Sequence, residues 1–247
     1  MSSWQHGHAL GARRSPPTAP AEDRRLVPDA TPAAAPARRT PTRAYALGKR
    51  LLDVALAVVL LVLTSPILLV AAVLVRSTSP GPVLFRQTRV GRAGEPFCML
   101  KFRTMRTGTS DQAHRDYVRS LLAGEAEAHD GLYKLEDDPR VTRVGAVLRR
   151  LSIDELPQLL NVLKGEMTLV GPRPALPFEA ELFPAWAAPR YLVAPGLTGL
   201  WQVSGRNRLT MLEGLELDVA YVEQRGFLVD LRILLRTVPA VLGRGAR

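Results

Sequence analysis

From Val54 to Val75 the chain is apolar except for Thr64, Ser65 and Pro66. As one straight helix these 22 residues would measure about 33 Å at about 1.5 Å per residue. That is enough for a bilayer core of about 30 Å. Pro66 lies mid-segment, where it removes the hydrogen bond to the Val62 carbonyl and costs on the order of 3 kcal/mol in a regular helix. The pattern therefore predicts a break there, with the Thr64 and Ser65 hydroxyls available to the freed backbone groups. Lys49 and Arg50 precede the segment, and Arg76, Arg86, Arg89 and Arg92 follow it. Positive charge on both flanks points to the cytosol twice. A re-entrant hairpin satisfies both flanks and a simple span satisfies one; the pattern leaves both open.

Beyond Arg76 the pattern becomes that of a soluble domain. Strand-like pieces at Pro82 to Gln87 and Phe97 to Lys101 are separated by the turn signals SPGP and GRAGEP, predicting a short hairpin or sheet. Helices dominate afterwards: Asp111 to Leu122, a helix after Asp154 ended by Gly165, and Leu209 to Gln224 with Leu212, Leu215, Val219 and Val222 on one face. In the last segment Leu231, Leu234, Leu235, Val238 and Leu242 oppose Arg232 and Arg236, with Pro239 predicting a kink. Such a basic amphipathic helix suits either a membrane interface or the protein core. Residues 1–43 are rich in Ala, Pro and Arg without periodicity and read as a disordered leader. The expected organisation is that leader, a membrane helix over 44–76 and a cytosolic catalytic domain over 77–247.

Composition narrows the partners. The net charge of +10 favours anionic ones, whether nucleic acid, acidic lipid or a phosphorylated substrate. Cys98 is the only cysteine, which excludes an intramolecular disulfide framework, and the four histidines do not group with it at zinc-ligand spacing.

The chemistry concentrates in LRRLSIDELPQLLNVLKGEM. Asp154 and Glu155 are adjacent acids, with Arg149 and Arg150 upstream and Pro157 downstream. A helix beginning at Asp154 tolerates Pro157 in its first turn and sets the Asp154 carboxylate at the N-terminal dipole, where phosphate also binds. Such a carboxylate suits a nucleophile or a Mg²⁺ ligand; a plain helix cap is the other meaning of the same pattern. The Gly171-Pro172-Arg173-Pro174 turn presents a guanidinium, and the Gly-rich stretch from Pro195 to Arg206 offers a second anion loop. Lys101 and Arg103 in KFRTM alternate along a strand, so both are expected on one side, as a phosphate site or a solvated edge.

Together these residues resemble the bacterial sugar transferase family, the monotopic polyprenyl-phosphate phosphoglycosyl transferases. The resemblance runs from about Lys49 to Ala246 through KRLLD, the Ser65-Pro66 pair, SPGPVLFRQTRVGRAGEPF, KFRTM, DPRVTRVGAVLRRLSIDELPQLLNVLKGEM, LVGPRP and PGLTGLWQVSGR. It implies an α+β, helix-rich monotopic membrane protein with a broken re-entrant membrane helix, a small β element and interfacial amphipathic helices. It also implies Asp154 as covalent nucleophile, Glu155 as its dyad partner, Mg²⁺ held by the two, and Arg149 on phosphate. Ser65 and Pro66 would break the membrane helix, and Pro172, Arg173 and Pro174 would bind nucleotide; Lys101 and Arg103, from their alternation, are added as expected substrate contacts. The implied partners are a UDP-sugar, polyprenyl phosphate and anionic lipids at the cytosolic face of a bacterial cytoplasmic membrane. The larger relatives' N-terminal multi-span region is not expected here, and Glu223 to Phe227 departs from the family's usual Asn-Trp-Ser type of sequence. Two rivals remain: a catalytically silent scaffold of a polysaccharide complex, and a membrane-tethered nucleic-acid binder, although no helix carries a nucleic-acid recognition pattern. The sugar is not legible, and the oligomeric state is open, a homo-oligomer included.

Overall fold

The computed structural model describes residues 42–106, 140–205 and 209–242, together with Asp116 and Arg119. Nearly all of the expected leader, most of the expected helix at 111–122 and Arg206 lie outside these residues.

The apolar segment belongs to helix α1, Arg43–Thr78, whose start is capped by the Thr42 hydroxyl accepting from the Tyr45 amide. Its 36 residues correspond to a length of about 54 Å. The break expected at Pro66 is not an interruption: the helix is continuous through it. Ser65 Oγ donates to the Val62 carbonyl at 2.8 Å, the acceptor that an amide at position 66 would have served. Thr64 Oγ1 likewise donates to Leu60 O at 2.6 Å. The hydroxyls thus do the satisfying without the helix unwinding.

A hairpin follows, β1 (Leu84–Val90) pairing antiparallel with β2 (Pro96–Phe102), in a register that sets Phe85 against Lys101 and Arg89 against Phe97. The pairing extends further toward the turn than the alternation suggested, because Ala93 and Gly94 adopt positive φ and reverse the chain tightly. Next come α2 (Arg143–Arg150), a 3-10 helix (Ile153–Gln158), α3 (Leu159–Lys164) and β3 (Thr168–Val170). Gly165 ends α3 in the left-handed region at φ 85°, as its position after Lys164 predicts. Helix α4 (Pro177–Leu182) and a further 3-10 helix (Ala185–Leu192) carry the chain to β4 (Gly196–Thr198), which pairs parallel with β3. The chain closes with α5 (Leu200–Val203), α6 (Met211–Gln224) and α7 (Phe227–Leu242). Helix α6 begins with a capping box, Thr210 and Glu213 each accepting from the other's backbone amide.

The core gathers Met99, Leu159, Val162, Met167, Leu169, Val170, Tyr221, Val222 and Ile233 around Ala57 of α1. A second cluster sets Ala71 and Val75, near the other end of α1, against Phe102 and Leu148. Polar bonds reinforce the first contact. Arg50 donates to Val162 O and Leu163 O at the C-terminal end of α3, and Asp53 accepts from Thr168 Oγ1 and the Leu169 amide. Lys49 Nζ lies 3.1 Å from Asp230, which also accepts from the hydroxyls of Tyr45 and Tyr221. Both ends of α1 therefore rest on the same body, while Val62, Leu63, Leu69 and Val70 between them are exposed.

Two apolar faces meet the core only in part. On α6 the buried positions include Met211, Leu215, Asp218, Tyr221 and Val222, and Leu212 is exposed. On α7 the inward residues are Asp230 and Ile233, which leaves Leu228, Leu231, Leu235 and Val238 outside beside Arg232 and Arg236. Of the expected apolar stripe of α7, Leu234 packs against the core, while Leu231, Leu235 and Val238 stay outside it.

Candidate active site

Ser152 adopts φ 57°, which turns the chain out of α2 and into the 3-10 helix carrying the acid pair. Pro157 has no amide to donate, so the segment winds as a 3-10 helix and becomes α-helical only from Leu159. The helix begins one residue before the expected start, and Asp154 and Glu155 both fall in its first turn. Residues three apart eclipse in this geometry. Accordingly Ser152, Glu155 and Gln158 all line one cavity of about 350 Å³. Asp154 is buried beside it, on the neighbouring side of the turn, and is not part of the lining.

The cavity has two kinds of wall. Leu56, Val59 and Leu60 of α1 face Leu234, Ala240 and Val241 of α7. Arg89, Lys101, Arg173 and Glu155 form the charged part. Lys101 Nζ lies 3.5 Å from Glu155 Oε1. Burial lowers the Lys101 pKa, with Glu155 and Asp154 opposing and Arg89 and Arg173 reinforcing the shift. Burial likewise pushes the Arg89 guanidinium down to about 10, with Glu179 opposing.

Arg173 is held by its main chain. The Gly171 amide donates to Thr198 O and the Gly196 amide to Pro172 O, at 2.9 and 2.8 Å. Arg190 Nη2 donates to Arg173 O at 2.5 Å and to Asp218 Oδ2 at 2.7 Å, and Asp218 accepts from the Arg173 amide. Arg89 Nη1 donates to Pro174 O at 3.0 Å. A Cβ at position 196 would stand 2.1 Å from the Gly171 nitrogen, so only glycine permits this approach.

Of the residues expected at the site, Lys101, Glu155, Arg173 and Pro174 meet at the cavity, and Asp154 adjoins it. Pro172 lies in the same fixed turn. Arg149, at the end of α2, donates from Nε to Thr104 Oγ1 at 3.0 Å and is outside the lining. Arg103 does not share a face with Lys101. It lies beyond the end of β2 and turns to the C-terminal end of α1, donating to Val75 O and Ser79 O at 3.3 and 2.7 Å. Carbonyls at a helix end attract a cation as a phosphate would, which is why charge and spacing alone misplace it. Ser65 and Pro66 are exposed, outside the cavity lining. The sequence reading takes Arg89 only as a flanking charge and passes over Gln158, Glu179, Arg190 and Asp218. Glu179, Arg190 and Asp218 matter through pairing with distant residues, and Gln158 through its place in the cavity lining, neither of which local spacing announces.

Among the described residues no group of three or more His, Cys, Asp and Glu forms a protein-only metal cage. Adjacent Asp154 and Glu155 do suit Mg²⁺, which commonly takes one or two carboxylates and completes its octahedron with water and substrate phosphate.

A family model for bacterial sugar transferases matches residues 44–244. The chain belongs to the bacterial sugar transferase family. The chain is 45% identical over 202 residues to the exopolysaccharide production protein ExoY of Sinorhizobium fredii, covering 81% of this chain and 88% of that protein. It is 45% identical over 211 residues to the UDP-glucose:undecaprenyl-phosphate glucose-1-phosphate transferase of Caulobacter vibrioides, covering 82% and 72%. With the undecaprenyl-phosphate galactose phosphotransferase of Salmonella typhimurium the identity is 39% over 200 residues, covering 79% of this chain and 40% of the longer protein.

Proposed function

We propose that the protein moves a sugar 1-phosphate from a UDP-sugar to polyprenyl phosphate, releasing UMP and initiating assembly of an exopolysaccharide, capsule or related glycan. Family membership supports the reaction class, and the cavity carries the reading for this chain. Its apolar wall comes from the membrane helix α1 and from α7, and its cations and Glu155 lie in the same space. An acceptor with a hydrocarbon tail and a phosphate head needs both kinds of wall in one place.

In the proposed reaction the Asp154 carboxylate attacks the sugar-linked phosphorus. The P–O bond to UMP breaks, UMP leaves with its electron pair, and a glycosyl-phosphoryl-aspartate remains. A phosphate oxygen of the polyprenyl phosphate then attacks the same phosphorus, forming the lipid diphosphate sugar and restoring the carboxylate. Arg89, Lys101 and Arg173 offset the negative charge that would otherwise keep a carboxylate away from a diphosphate. Asp154 and Glu155 would hold Mg²⁺, whose chemistry when bound is to neutralise charge on the diphosphate. Arg149, from the end of α2, would reach phosphate on the Asp154 side.

We place the protein on the cytosolic face of the bacterial cytoplasmic membrane, with α1 entering and leaving the bilayer on that face. Among the described residues α1 is the one helix long and apolar enough to cross a membrane. Support for a one-sided arrangement is that both ends of α1 pack on the same body, which a perpendicular span would carry to opposite sides of the bilayer. The exposed apolar side of α7 beside Arg232 and Arg236 suits an anionic interface.

The test is the nucleotide released when purified protein is given UDP-sugars, Mg²⁺ and polyprenyl phosphate. UMP is expected. UDP would mean attack at the anomeric carbon and would overturn the proposed reaction.

A further inference from the structure

Two side-chain amides lie three residues apart on the segment after the acid pair, and the structure uses them differently. Asn161 is fully engaged: Nδ2 donates to Cys98 O and Glu166 Oε2, at 2.7 and 2.6 Å, and Oδ1 accepts from the Leu100 amide at 3.1 Å. Gln158 is 3% exposed, and its Nε2 is buried without a hydrogen-bond partner among the described residues. A buried donor left unpaired costs free energy, so its persistence calls for an acceptor. The 3-10 winding sets Gln158 in line with Glu155, and both line the cavity with Lys101, Arg89 and Arg173. Gln202, whose Oε1 is also buried without a partner among the described residues, lines the same space, and the three cations there favour an anion as the incoming acceptor.

We infer that Gln158 is a catalytic residue, its Nε2 donating a hydrogen bond to a non-bridging oxygen of the phosphoryl group in transfer. The inference rests on the reaction proposed above. The cations supply charge. Gln158 supplies direction from a short, packed segment, without adding charge that would compete with the acid pair. Such a donor is most effective where charge changes between ground and transition states, so its loss should appear in kcat more than in KM.

The experiment uses the full chain in lipid nanodiscs with a UDP-sugar and polyprenyl phosphate, reading released nucleotide. Wild-type protein is measured first; failure to release UMP would sink the parent reaction, independently of Gln158. Gln158→Met keeps the volume and removes the donor. Its kcat should fall by about 10- to 100-fold, somewhat less than the ~10²–10³ typical of losing a fixed oxyanion donor, because three cations remain. KM for the UDP-sugar should stay within about threefold. Gln158→Glu is nearly isosteric and replaces the donor with a carboxylate, so it should lose at least as much rate. It also serves as the readout if the Met variant does not fold. Wild-type-like kcat in either folded variant, or a defect confined to KM, would overturn the inference while leaving the transfer reaction standing.

Discussion

Arg190 and Asp218 are almost wholly withdrawn from water, their side chains 2% and 1% exposed and their charged atoms 2.7 Å apart. Burial opposes the charge on Arg190, but Asp218 and Tyr191 together more than offset it and the guanidinium pKa is raised. Removing one partner from such a pair typically costs about 3–5 kcal/mol, because the other charge is left buried. Asp218→Ala should therefore lower stability by roughly that amount in denaturant titration. It should also loosen the Arg173 main chain. If the fixed turn serves mainly to aim Arg173 at the nucleotide, Arg173→Ala will raise KM for the UDP-sugar more than it lowers kcat. A pure rate defect would show instead that Arg173 acts in the chemical step. Lys101 yields a prediction in pH. Its pKa is lowered from the ordinary 10.5 by burial, so its ammonium is lost, and activity should fall, as pH rises through a point below that value. In Lys101→Arg whatever activity survives should lack this alkaline limb, because guanidinium stays charged. A pH profile unchanged by the substitution would remove Lys101 from the site.

Among the elements, α1 gives the clearest case of one residue compensating another. Pro66 frees the Val62 carbonyl and Ser65 Oγ takes its place. In Pro66→Ala the amide returns, so Ser65→Ala should destabilise the protein more in the Pro66 background than in Pro66→Ala. The difference expected is about 1 kcal/mol, the net worth of one hydrogen bond, read from a double-mutant thermal-stability cycle in lipid. Equal costs in both backgrounds would mean that the hydroxyl is incidental. The same helix marks how far local pattern reaches. The hydrophobic run identified α1, the hairpin followed from SPGP and GRAGEP, and Gly165 stopped α3 where expected. Of the face that patterning sets on α6, Leu215 and Val222 are buried and Leu212 is exposed, while packing against Trp201 brings Gly214 inward. It misplaced Arg103 because the C-terminal end of α1, which it meets, lies 24 residues earlier. Asp154, Glu155, Lys101 and Arg173 were legible since they sit in short, strongly biased segments. Arg190, Asp218 and Gln158 were not, since what distinguishes them is a distant partner or the lack of one.

For the whole molecule, a net charge of +10 coexists with an acid pair, Asp154 buried and Glu155 half-buried, and a largely exposed apolar helix. The three features agree if the substrates are a diphosphate and a lipid phosphate and the reaction takes place at a membrane surface. The two rivals separate cleanly from this account. A nucleic-acid binder would lose affinity steeply with salt and be indifferent to Asp154→Asn, and a silent scaffold would show no turnover with Mg²⁺. The most direct test omits the acceptor. Protein incubated with a UDP-sugar and Mg²⁺ alone, then digested and analysed by peptide mass, should carry one sugar phosphate on Asp154, accompanied by a burst of UMP that Asp154→Asn abolishes. Release of UMP with Asp154 unmodified under conditions that preserve acyl phosphates, or an adduct on another residue, would contradict the role assigned to that carboxylate.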